Sequence, residues 1–505
     1  MIQTLTLLAI LQLPLAITPV HANSRYSPQG AEQEWNVLLH AHGVIAGDWD
    51  SVEDLQREAM AAGVDAVILT EQLITEWEWS PPVVRSFWAF RLKNPEARSF
   101  REFFRTEPSL KRLGSEEYFG KAARADQAVP GITLLAGAEV APYYYWTGAP
   151  WKRDLVMWNW QRNLLVLDLP EPNDYEELPV LGMRTSLFGS WKNIPWAIAL
   201  LASLSLFLYV LNKLYLVRAS LALIPVALLI WSGPPSLVPF SPYQDDAGMQ
   251  PYQTLIDRVN DLGGFSMWTQ VETTDDHAYM GVGIHTSWHP EVLLETHDYR
   301  SFGSIYPTSG TKAQEPGNQW DEALISYLEG NRRFAQWGWG ELALHPQQMQ
   351  GGNAKRVAEV LSVVRAPDRS PRAILDALKE GKGYAVRATS LDGRLSLDRF
   401  MVKSGSAGAL MGEELDYQGA VTVEASWSFT GDKTQSATVY LIRSGAVVDS
   451  IVGVPPMSLT YREPPHEPGV NGAFYRLQIE SRGHRLLSNP IFVRYGDTSS
   501  PTADR

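Results

Sequence analysis

The chain has 505 residues, no cysteine, a formal net charge of −13 and 45% hydrophobic residues. That length is enough for several domains and a sizeable core, and the acidic balance excludes nonspecific nucleic-acid binding through a basic surface. The lack of cysteine excludes disulfides, thiolate metal sites, a cysteine nucleophile and a lipid anchor on cysteine, so any metal must be held by His, Asp and Glu. The amino terminus, with an apolar stretch from Leu5 to Ile17 and small residues ending at Ala22, predicts a secretory signal over 1–22, without the usual early Lys or Arg.

Next comes "WNVLLHAHGVIAGDW", an apolar run closed by His40 and His42. Alternate residues of a strand share a face, so both imidazoles can reach one point. "SVEDLQREAMAAG" carries Leu55, Ala59, Met60 and Gly63 at helical spacing, and "DAVILTEQ" reads as a buried strand parallel to the first. "GITLLAGAEVAP" is a further strand ending in Glu139. Residues 194–231 are almost wholly apolar, broken by Lys213 and Arg218, and bounded by Trp196 and Trp231. They predict a transmembrane helical hairpin contacting the lipid bilayer, with a buried soluble hairpin as the alternative. Two crossings would return the flanks to one side, so that 24–190 and 235–390 can fold together. That topology predicts a cell-membrane protein with both flanks on the periplasmic or extracellular side. In the second flank, "PYQTLIDRVNDLGG" and "QWDEALISYLEGN" read as helices, "FSMWTQVE" and "GELALHP" as strands, the last ending in His345.

His40, His42, Glu71, Gln72, Glu139, Gln270 and His345 thus fall at carboxyl ends of predicted strands, which in a closed α/β barrel is the catalytic rim. This order resembles the PHP (polymerase and histidinol phosphatase) superfamily of metal-dependent hydrolases. "HAHGVIAGDWDSVEDLQREAMAAGVDAVILTEQ" is similar to its H-x-H motif and following helix, "AGAEV" to its G-x-E strand end, and "AILDALKEGKGYAVR" to its closing helix. The end of the chain, "LLSNPIFVRYG", is similar to the carbamate-hydrolase branch. The resemblance implies an α/β fold, a distorted (β/α)7 barrel, here interrupted by the hairpin and followed by a β-sandwich. It implies divalent metal (zinc, manganese or iron) at His40, His42, Asp48, Glu139 and His345, with Glu139 and Glu71 as catalytic carboxylates acting on a phosphoester or related small-molecule ester. The chain departs from the pattern where Thr70-Glu71-Gln72 replaces T-D-H, where Gln270-Val271 replaces H-P, and where Ala343 precedes Leu344-His345 in place of Asp, with Glu341 two residues earlier. A glutamine amide is a weaker, uncharged donor, so one or two metal ions are expected in place of a full trinuclear site. Asp50 reads equally as a helix-start residue.

The cluster His277, His285, His289 and His297 has no ligand signature in its spacing, and Pro290 argues against a helix that would bring two of them together. From 391 to 495 alternating strands predict a β-sandwich, and 496–505 a disordered tail. Two functions stay open: a PHP-like hydrolase, and a degenerate barrel that binds a ligand or serves as an envelope scaffold.

Overall fold

The computed structural model describes residues 32–43, 49–79, 90–93, 109–181, 240–243, 245–307, 312–344, 356–388, 393–431, 435–464 and 471–495. The expected signal over 1–22, hairpin over 194–231 and tail over 496–505 lie outside them, as do Asp48 and His345.

The apolar runs form strands where β-branched and leucine residues cluster. The strand Gln33–Ala41 pairs in parallel with Ala66–Gln72, which pairs in parallel with Thr133–Val140. Between the first two runs the helix Trp49–Ala61, which buries Val52, Leu55, Gln56 and Ala59 at helical spacing and leaves Met60 43% exposed. After Thr133–Val140 the chain makes two short strands, Tyr145–Thr147 and Val156–Trp158, and a single 3-10 turn at Pro150–Lys152, but no α-helix, before Leu164–Leu167. A parallel return needs a long crossover, usually a helix. Here Leu164–Leu167 is antiparallel to both its neighbours, Thr133–Val140 and Phe265–Trp268. From there Phe265–Trp268, Ser301–Ile305 and Trp337–Gly340 pair in parallel.

The expected distorted (β/α)7 barrel is therefore corrected. These strands belong to one 15-stranded mixed sheet, which continues beyond Gln33–Ala41 through Val360–Ala366, Gly383–Ala388 and His484–Ser488, each antiparallel to the one before. Among the described residues a backbone contact returns the path on itself: the Leu342 and Leu344 amides donate to the Leu39 and His40 carbonyls, and the His42 amide to the Leu344 carbonyl. Among the described residues no helix is long and apolar enough to cross a membrane, and to that extent the expected membrane-spanning fold and membrane location are corrected, residues 194–231 lying outside them.

The helix Pro371–Glu380 shows how sequence sets an element's ends. Ser370 accepts from the Ala373 amide, Pro371 opens the first turn, and Gly381 takes the left-handed conformation after the last. The carboxyl-terminal strands Arg394–Ser404, Ala407–Ala409, Val421–Thr430 and Met457–Arg462 form a four-stranded sheet, while Gly472–Ser481 and its neighbours extend the large one. Arg476, fully buried, forms a two-pronged pair with buried Asp321 of the helix Gln319–Leu328 at 2.6 and 2.8 Å, tying the terminal strands to that helix.

Candidate metal centre

The strand Gln33–Ala41 ends in a β-bulge between Leu39 and Ala41, and His40 there sits at φ +68°. A bulge re-aims the side chain it carries. Gln270 (φ +46°) and Ala343 (φ +45°), at two other strand ends, share this unusual conformation. For residues with a Cβ it costs about 1–3 kcal/mol each, and such strain gathers at functional sites.

The result is a convergence of donor atoms. His40 Nε2 and His42 Nε2 are 3.1 Å apart, and Glu139 Oε2 lies 3.6 and 3.5 Å from them. Among the described residues these three are the group whose ligand atoms all lie within 4.8 Å of one another. All are nearly closed off, at 1%, 5% and 7% exposure. Glu139 is held in place by Asn163, whose amide donates to Oε1 at 2.7 Å, and by Gln72, whose amide reaches Oε2 at 3.4 Å.

A carboxylate stands behind each imidazole. Glu341 Oε2 is 3.8 Å from His40 Nδ1, and Glu71 Oε2 is 3.8 Å from His42 Nδ1. Glu341 is fixed by the Gln270 amide on Oε1 at 2.7 Å, and Glu71 by the Gly43 amide on Oε1 at 2.6 Å. Metal-ligating histidines characteristically present their other ring nitrogen to such a group. With a cation at the inward nitrogens, the carboxylates favour the tautomer that keeps each ring's proton at Nδ1. Both Nε2 atoms then carry lone pairs, 3.1 Å from each other and facing the Glu139 carboxylate. Three acceptors so placed repel unless a cation lies among them.

Without such a cation the electrostatics favours a proton on His40 instead. Burial works against a charged His40, but Glu139 beside it and Glu341 behind it outweigh burial and raise its pKa to about 9. Burial likewise works to raise the Glu139 carboxyl, but His40, His42 and Asn163 hold it well below the usual carboxylate range. Burial pushes the Glu341 carboxyl up.

The donor set fits a divalent ion. Bonds of about 2.0–2.1 Å in a tetrahedron place neighbouring donors about 3.3–3.4 Å apart. Two imidazole nitrogens and one carboxylate oxygen suit zinc or a similar ion and leave a fourth position open.

Of the residues expected at the site, the structure brings together His40, His42 and Glu139, with Glu71 behind a ring. Asp48 and His345 lie outside the described residues. Glu341 and Asn163 carry no motif, although Glu341 follows the strand Trp337–Gly340 directly, where a strand-end carboxylate signals the rim. The cluster between 277 and 297 does not converge: His277 pairs with Asp275, His285 faces Asp276, and His289 is buried against the Ser287 carbonyl. Its first members lie on a hairpin, Asp275–Tyr279 with Val282–Thr286, that turns at Met280-Gly281, both at positive φ.

No protein-family model matches the chain, and no curated protein matches it. Among solved structures it is similar to a two-domain protein from Bacteroides vulgatus containing a predicted PHP-like metal-dependent phosphoesterase, at 13% identity over 88% of this chain and 90% of that one, with a TM-score of 0.33. It is also similar to an engineered protein at 12% identity over 40% and 43% of the two chains, with a TM-score of 0.14. At such TM-scores neither likeness defines fold or chemistry, which rest on the residues themselves.

Proposed function

We propose that this chain is a hydrolase of phosphoesters or related esters that works with a divalent ion held by His40, His42 and Glu139. The observation that carries the reading is the paired arrangement of two imidazoles, each backed by a buried carboxylate, with both Nε2 atoms turned to a third carboxylate. A divalent ion there supplies Lewis acidity, polarising a phosphoryl or carbonyl oxygen and making water more acidic. With the ion bound, Glu341 and Glu71 would favour the ring protons at His40 Nδ1 and His42 Nδ1, leaving the inward nitrogens free to bind it. Asn163 fixes the Glu139 carboxylate by one oxygen and leaves the other aimed inward. Glu71 is the carboxylate placed to exchange a proton with the site through His42. The ester class is supported by the resemblance of "HAHG" and "AGAE" to the PHP motifs.

A second reading, metal or ligand binding without turnover, is favoured by one observation. Gln72, where the PHP pattern carries His, spends its amide on Glu139 and adds no imidazole to the site. A panel of phosphomonoesters, phosphodiesters and carboxylic esters, run with added zinc, manganese or iron, separates the two. Hydrolysis that depends on metal and disappears in His40→Ala supports the hydrolase. Stoichiometric metal with no turnover of any ester supports the second reading.

A further inference from the structure

A cavity of about 340 Å³ opens at the opposite end of the strands from the three converging donors. It is lined by Arg300, Arg333, Phe334, Trp337, Lys379 and Lys382, together with residues of the carboxyl-terminal strands. Its position follows from the topology. Trp337 begins the strand whose far end leads to Glu341, about 13 Å away at ~3.3 Å per residue. Arg300 immediately precedes the adjacent strand Ser301–Ile305.

The charges in the cavity do not cancel. Lys382 is paired with Glu380 at 2.8 Å and Glu32 at 3.5 Å, and Lys379 faces Asp168 at 3.7 Å. Glu414 is paired with Arg494 at 2.7 Å, and Glu413 accepts the Leu410 amide at 2.7 Å. Arg300 and Arg333 are left over. Among the described residues neither guanidinium has an ion pair or a side-chain hydrogen bond. Both instead lie against the Phe334 ring, 3.2 and 4.7 Å from its centre. Arg300 Nε is buried with no hydrogen-bond partner. Burial, with Arg333 nearby, pushes the Arg300 pKa down to about 10. Arg300 is half-buried with its Nε lacking an acceptor, Arg333 beside it is exposed, and two guanidinium groups side by side repel. The planar fork of arginine matches the oxygens of a phosphate group. The volume suits a small molecule, and the rings of Phe334 and Trp337 offer apolar faces beside the charges.

We propose that this cavity is a binding site for a small phosphate-bearing molecule, held by Arg300 and Arg333 and separate from the metal centre. Lys379 and Lys382 add positive potential at its edge. The proposal does not depend on the hydrolase reading.

The test is thermal unfolding of the full chain, stripped of metal by a chelator, titrated with inorganic phosphate at constant ionic strength. Wild type, R300Q, R333Q and H40A are compared, because H40A removes phosphate bound at the metal centre. Arg333 is exposed, which makes R333Q a test that does not depend on R300Q folding. The expected result is a saturable rise in Tm, retained in H40A, with apparent affinity weakened about tenfold or more in R300Q and R333Q. No saturable rise in wild type, a rise retained in both arginine variants, or one lost in H40A overturns the proposal. Phenyl phosphate in place of inorganic phosphate identifies the source. Tighter binding assigns an aromatic phosphate ester and equal binding free phosphate, and either supports the site.

Discussion

Glu341→Gln isolates the contribution of a carboxylate behind an imidazole. The side chains have nearly the same shape, so the buried packing around residue 341 survives. One oxygen of Glu341 accepts the Gln270 amide at 2.7 Å, and the amide of the variant must keep its own oxygen there, because turning it would set two donors against each other. The NH2 group then faces His40 Nδ1, where Oε2 stood at 3.8 Å. A donor in that place favours the lone pair at Nδ1 and moves the ring proton to Nε2. The inward nitrogen is thereby blocked as a ligand. Loss of such a supporting group typically weakens metal binding about 10–100-fold, or about 1.4–2.7 kcal/mol. The assay is metal titration against a competing chelator, with circular dichroism to confirm the fold. The unliganded variant should be at least as stable as wild type, since it replaces a desolvated carboxylate by a neutral group. A folded Glu341→Gln protein with unchanged metal affinity would refute the assignment of the His40 tautomer.

Gly303→Ala should reproduce the same loss indirectly: a Cβ at this position would lie 2.4–2.8 Å from the Glu341 carboxyl atoms, so the carboxylate must move, and metal affinity read by the same titration should fall. His289, fully buried and neutral, has its pKa lowered to about 4 by burial, against about 6.5 unfolded. The unfolded chain binds more protons between these values, so stability is full above about pH 6.5 and falls by about 3 kcal/mol as pH drops to about 4. Denaturant midpoints across that range should show a shallower slope for His289→Gln, and an identical slope contradicts the prediction. Arg476→Ala strands the buried Asp321 carboxylate and should cost about 3–5 kcal/mol by urea unfolding, whereas a cost under about 1 kcal/mol would mean that the pair contributes little.

The local elements were largely legible. "NVLLHAH", "DAVILTEQ" and "GITLLAGAEVAP" are dense in β-branched and leucine residues, and they form the strands that carry His40, Glu71 and Glu139. The helices Gln250–Asp261 and Gln319–Leu328 stand where the sequence read as helical, and Pro371–Glu380 where the resemblance implied one. Pairing direction was not legible. Reading strand, helix, strand as a repeating parallel unit fails where the connection lacks a helix, as it does before Leu164–Leu167, and one reversed strand is enough to break a parallel barrel. The strand expected at "GELALHP" forms earlier, at Trp337–Gly340. Glycines there do not weaken the pairing, because Gly340 gives the Leu361 carbonyl room that a Cβ would take. At the site, H-x-H announces itself by its place at a strand end, although the convergence of the two imidazoles also uses the bulge that re-aims His40. Glu341 and Asn163 do not, because their roles depend on which strand ends the sheet brings together.

The most direct test of the metal centre is elemental analysis of purified wild type beside a His40→Ala/His42→Ala double variant, each after incubation with zinc, manganese and iron and removal of the excess. Bound divalent metal near one equivalent in wild type, absent from a folded double variant, is the predicted result. Wild type that retains no metal under any of these conditions, or a double variant that retains as much, would contradict it.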